Sequence, residues 1–124
     1  MKAIIEAADH EAVLRAWRGS AAKLWLFHVT HNKLVIALHR TGEPDALYLV
    51  AIGCRSMSGP FQWTGAEISI RRHEQTGATG ASHVVVDAHA AFEVVCSHVV
   101  LVRGDREVPD DPFEGFLGEG VSDA

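Results

Sequence analysis
The sequence predicts an α+β fold. An N-terminal helix packs on one twisted antiparallel sheet of about six strands, open or curled toward a barrel, and a short C-terminal helical turn follows. Three observations carry this reading. Apolar spacing is helical as far as Gly19 and switches to period two from Lys23 onward. The strand-like runs are joined by short polar turns, which make antiparallel neighbours, whereas parallel pairing needs crossover helices. Several runs are apolar on both faces and so belong at the centre of a sheet.

The helix is the first element. Asp9 can cap the free amides of a first turn, and Glu11 suits the positive end of the helix dipole. Val13, Leu14 and Trp17 form its apolar stripe, and Gly19 stands where helices commonly stop. Its start lies either at Asp9 or as early as Ile4. Leu24 to His31 is aromatic and β-branched, which suits a strand. The polar turn His31-Asn32-Lys33 leads into a second strand, Leu34 to His39, as in a hairpin. After the turn cluster Thr41 to Asp45, Leu47 to Ile52 reads as a central strand.

Gly53 to Gly65 is irregular, with a turn forced at Gly59-Pro60. Alternation returns at Ala66 to Arg71, a half-exposed strand, and Glu74 to Ser82 is a Gly/Thr-rich loop. His83 to Asp87 is a short strand. Phe92 to Arg103 reads as one long strand with Phe92, Val94, Cys96, His98, Val100 and Val102 on one face. Asp111-Pro112-Phe113-Glu114 resembles a capping box, and Phe113, Phe116 and Leu117 then share one helical face. Those aromatics are expected to dock on the body or on a neighbouring subunit. Residues 1–118 make a single domain, and residues 119–124 fray.

Composition narrows the function. At 124 residues, with 48% apolar and 22% charged residues, the chain can bury a core without staples. The net charge of −5 hides a split: residues 1–103 carry +1 and residues 104–124 carry −6. The one adjacent basic pair is Arg71-Arg72, so the clustered footprint that nucleic-acid binding requires is missing. No apolar run approaches the ~18 residues of a membrane span. The start, Met1 to Glu6, does not read as an export signal, so a cytoplasmic protein of bacterial type is expected, with Cys54 and Cys96 as thiols.

Candidate chemistry is sparse. Cys96 and His98 share a strand face, and with Cys54 and His89 they offer four zinc-ligand types, but in no known spacing. Cys54 beside Arg55 is a possible activated thiol, yet no base is paired with it. His28 and His31 point to opposite strand faces, and hairpin polarity explains His31 and Asn32. His83, Asp87 and His89 have one-face spacing if their strand continues; otherwise Asp87 to Ala90 is a turn. The nucleotide-binding and common hydrolase signatures do not occur. No cofactor or metal is expected.

Arg55, Met57, Phe61 and Trp63 lie together in the irregular segment and are residue types enriched in interface cores, unless Phe61 and Trp63 fold back to plug the sheet end. With Phe113 and Phe116 they are the candidate interaction residues. The leading expectation is a non-catalytic protein-interaction module, self-associating as a homodimer, with neither nucleic acid nor membrane as partner. One alternative is a small enzyme or ligand-binding barrel with Cys54, His28, His98 and Asp87 in a pocket. Another is an inhibitor or immunity-like protein, suggested by size and acidity alone.

Overall fold
The computed structural model describes residues 3–30, 32–74 and 81–105. Within them lie β1 (Ala3–Ile5), a 3-10 turn (Ala7–Asp9), α1 (His10–Ala16), β2 (Ser20–His28), β3 (Lys33–His39), β4 (Asp45–Ile52) and β5 (Ser56–Ser58). Then come β6 (Gln62–Ala66), β7 (Ser69–Glu74), β8 (Ala81–Asp87), β9 (Phe92–Cys96) and β10 (His98–Asp105). Mostly antiparallel sheet with one short N-terminal helix, the fold agrees in class with the sequence. The expected C-terminal helical turn falls outside the described residues.

The expected single sheet is instead two, and neither closes into a barrel. The larger runs β1-β10-β4-β3-β2-β6 and the smaller β5-β9-β8-β7. The chain changes sheet four times. It leaves the larger sheet at Gly53–Arg55, returns through Gly59-Pro60-Phe61, leaves again at Glu67-Ile68 and returns at Ser97. The long strand predicted over Phe92–Arg103 is therefore two strands. Ser97 donates its backbone N–H to the Ile52 carbonyl at 2.9 Å and turns the chain across. Phe92, Val94 and Cys96 face the core, but beyond the bend Val99 and Leu101 do, while Val100 and Val102 face away. Period-two alternation specifies a face but not a sheet, so the pattern alone could not show this crossing.

The helix is shorter than expected. Ile4 lies in β1, paired with Val102 of β10, and the Asp9 side chain makes no capping bond. Rather than lying flat on a sheet, α1 inserts Leu14, with Trp17 just beyond it, into the core between the sheets. Two guanidiniums lie over the Trp17 ring, Arg40 at 4.7 Å and Arg103 at 5.6 Å from its centroid. Glu43 joins them, 3.2 Å from Arg40 and 2.7 Å from Arg103. The predicted hairpin is present, with Asn32 left-handed at φ 48°. A bulge between Leu24 and Leu26 turns Trp25 and Leu26 to the outer side.

Side chains from both sheets fill the inner core: Ile36, Leu38, Leu47, Leu49 and Leu101 meet Val85, Phe92, Val94 and Cys96. Each large side chain buried there contributes roughly 1.5–3 kcal/mol. A second cluster, Val35, Ala37, Ala46, Tyr48, Val50 and Val102, lies on the outer face of the larger sheet and is also buried.

Gly59 sets how closely the β5–β6 turn seats on the smaller sheet. Its φ is +127°, and a Cβ there would stand 2.7 Å from Phe92 Cα. Gly59→Ala is expected to cost about 3 kcal/mol through strain and overpacking. Gly42→Ala, at φ +81° with open space around it, should cost about 1 kcal/mol. Urea unfolding of the two variants checks the difference.

Candidate functional site
β5 and β6 are the outermost strands of their sheets on one side of the sandwich. The three-residue link Gly59-Pro60-Phe61 ties them together. Pro60 fixes the backbone, and the Phe61 carbonyl accepts from Leu24 N–H at 2.8 Å, which holds the link against β2. The Phe61 ring is left 77% exposed. On β5, Met57 pairs in register with Val94 and is 37% exposed. Arg55, also exposed, donates its backbone N–H to the Val95 carbonyl at 2.7 Å.

Two further apolar side chains extend this side. β2 runs on past the start of β6, since its last paired residue there is Lys23 opposite Gln62. Phe27, in the overhang, is 51% exposed, and Val29, in the turn, is 75% exposed. The turn is anchored to the β4–β5 link, because Cys54 N–H donates to the Asn32 carbonyl at 2.9 Å. Sequence reasoning took Phe27 and Val29 as strand interior. The one signal was their nearness to the polar hairpin turn, where a strand outruns its neighbour.

Trp63 parts from its predicted companions. Its indole N–H donates to Asp87 Oδ2 at 2.8 Å, and its ring packs 4.7 Å from Phe92. Asp87 is fully buried and also accepts from Glu67 N–H at 2.9 Å and Ala90 N–H at 3.4 Å. It therefore pins β6, the β6–β7 link and the β8–β9 turn together. Phe113 and Phe116, the remaining interaction candidates, lie outside the described residues.

The residues of the alternative pocket do not converge. Asp87 stands opposite Phe92 at one end of β9, whereas Cys54 precedes β5 near the other end. His28 and His98 are exposed on the outer face of the larger sheet, across the Ser97 bend from Cys96. His83 gives its Nδ1 to the Ser97 carbonyl at 2.9 Å, and His89 is exposed in a turn, 3.9 Å from Glu67. Among the described residues, no three of His, Cys, Asp and Glu gather as a metal would require. His31 is outside them.

Both cysteines are free thiols. Burial raises the Cys54 pKa, against a backbone hydrogen bond from Leu34, and Cys54 Sγ donates to the Ala51 carbonyl at 3.4 Å. Burial, then the nearby Cys54 charge, pushes Cys96 up to about 12, with Arg55 opposing. Neither is the lowered thiol that nucleophilic catalysis uses.

A cleft of about 400 Å³ lies between α1 and the β7–β8 pair, lined in part by His10, Glu11, Arg15, Arg18, Arg72 and His83. Arg15 is paired with Glu11 at 3.2 Å, and His10 Nε2 is 3.2 Å from the Ile5 carbonyl. No protein-family model, curated protein or solved structure matches this chain.

Asp87→Ala should lower stability by about 3 kcal/mol, since it orphans buried donors, and Trp63→Phe by about 1 kcal/mol. Denaturant midpoints report both. Cys96 gives a pH signature. Its folded pKa lies above its ordinary value near 9, so the folded state keeps the proton that the unfolded chain releases. That stability is complete below pH 9 and is lost as pH rises toward 12, by about 1 kcal/mol at pH 10. Cys96→Ala should flatten this fall in an alkaline unfolding series.

Proposed function
We propose that this protein is a non-catalytic interaction module whose docking surface is the β5–β6 side, with a second copy of the chain as its first partner. One observation carries the reading. Of the five exposed large apolar residues among those described, Phe27, Val29, Met57 and Phe61 belong to β5, the β5–β6 link and the end of β2 with its turn, and only Ile4 stands apart, on the opposite edge strand β1. Large apolar side chains left exposed toward one margin are what a contact surface presents. Arg55 at its border adds a residue type favoured in interfaces. β5 and β6 also present open strand edges there, which a partner strand or a symmetry-related copy can engage.

Sedimentation equilibrium at micromolar concentration tests the self-association. The full chain should sediment as a dimer, and Phe61→Asp should weaken the dimer at least tenfold. A tenfold loss corresponds to about 1.4 kcal/mol. Phe61→Asp should leave the melting temperature of the fold nearly unchanged, because the ring is exposed. A monomeric wild-type chain at those concentrations would remove self-association from the reading.

A further inference from the structure
The cleft between α1 and the β7–β8 pair has a floor and a rim of opposite character. Its floor is apolar: Leu14 and Ile68 are 5% and 6% exposed, and Ile70 is half-buried beside them. All three pack into the core between the sheets. The rim is basic. His10, Arg15 and Arg18 stand on the helix side, and Arg72 and His83 on the sheet side. Glu11 is the one acid in the described lining.

The fold brings this cluster together from three separate stretches of chain. His10, Leu14 and Arg18 recur four residues apart, the spacing of one helical face, and Arg18 N–H bonds to the Arg15 carbonyl just past the end of α1. Arg72 pairs in register with His83, so their side chains are neighbours on one face of the smaller sheet. Ile70, two residues before Arg72, packs on the core from that same face. Backbone carbonyls orient both imidazoles: His10 Nε2 donates to Ile5 at 3.2 Å and His83 Nδ1 to Ser97 at 2.9 Å. The Arg15–Glu11 pair, at 3.2 Å, is exposed on both sides and therefore weak. Among the described residues the Arg18 side chain has no hydrogen-bond or ion-pair partner. Arg72 has an interaction of its own, but a guanidinium carries five N–H donors, and one partner does not use them all.

We propose that this cleft binds a small organic phosphate, its phosphoryl group held by Arg18 and Arg72 and its apolar or aromatic body lying on Leu14, Ile68 and Ile70. Charge sets the class. In the described lining three arginines less one glutamate leave a surplus of two positive charges. A phosphate monoester carries about −1.5 to −2 at pH 7 and matches that surplus, whereas a carboxylate brings a single charge. The planar guanidinium fork also suits the phosphate oxygens. The apolar floor sets the rest, because burying an apolar body on it adds affinity that inorganic phosphate cannot gain. Size agrees, since about 400 Å³ lies within the roughly 300–1,000 Å³ of small-molecule pockets. β7 is the opposite edge of the smaller sheet from β5, so the cleft and the β5–β6 docking surface are separate sites.

Calorimetric titration of the full chain with phenyl phosphate tests the proposal, with inorganic phosphate and benzoate as comparison ligands. Phenyl phosphate should bind roughly tenfold or more tightly than either. Arg18→Gln and Arg72→Gln should each weaken it roughly tenfold, as the loss of a charge-assisted hydrogen bond does. Both arginines are exposed, so the melting temperatures of the variants should match the wild type. In the unaltered chain, phenyl phosphate should shift the amides of Leu14, Arg18, Ile70, Arg72 and His83, which locates the site without any substitution. No binding at millimolar ligand, shifts confined to other residues, or unchanged affinity in both variants overturns the proposal. Inorganic phosphate binding as tightly would reveal a plain anion site, and benzoate binding as tightly a site blind to the second charge. Either result also overturns the assignment to an organic phosphate.

Discussion
The structure depends on one constraint: strands β3, β4 and β10 are apolar on both faces. In β3, Leu34, Ile36 and Leu38 point to one side and Val35 and Ala37 to the other; in β4, Leu47 and Leu49 oppose Tyr48 and Val50. Such strands cannot border water on either side without forfeiting roughly 1.5–3 kcal/mol for each large side chain left open. The larger sheet is therefore a middle layer that needs two covers. Seven helical residues cannot supply even one of them. The four sheet changes follow from that need, since they assemble a second sheet against the inner face out of segments that alternate with strands of the first.

Repeated crossing makes the links the points of highest demand. Where the chain passes between layers, backbone groups lose ladder partners and must find others. Ser97 bonds to Ile52, Arg55 to Val95, and Gly19 to Ala66. Asp87 serves the same end with a side chain, accepting from donors on three segments. A buried carboxylate is tolerable only when its oxygens are met by donors, and the convergence of β6, the β6–β7 link and the β8–β9 turn supplies them. Asp87 thus belongs to the architecture, and the indole of Trp63 belongs with it.

Much of this was legible in the sequence, and what was not has a physical cause. The hairpin at Asn32 and the central strand over Leu47–Ile52 follow from turn chemistry and alternation, which act within a few residues, whereas the strand expected over Ala66–Arg71 is broken at Glu67-Ile68, where the chain passes from β6 to β7 in the other sheet. The division into two sheets was hidden, because alternation is blind to which neighbour a strand selects. That is why Phe92–Arg103 read as one strand. The apolar residues of the irregular segment could not be sorted from sequence either. Phe61 and Trp63 have the same local surroundings, and only the distant Asp87 draws one of them inward. The sequence left open whether Phe61 and Trp63 face solvent or fold back to plug the sheet end; Phe61 is exposed and Trp63 turns inward to Asp87.

The same demand for cover explains where exposed apolar surface is found. Along the β5–β6 side the strands are only three and five residues long, so β2 outruns its neighbour and the layers end unevenly. Phe27 and Phe61 occupy that uneven margin. A margin that persisted merely for want of covering chain would be an aggregation hazard. Lengthening β6 or placing charge on those positions would remove it at little cost to the core. Large apolar side chains at a site where polar ones would fold equally well point to a use outside the fold, which is the physical ground for reading this side as a contact surface.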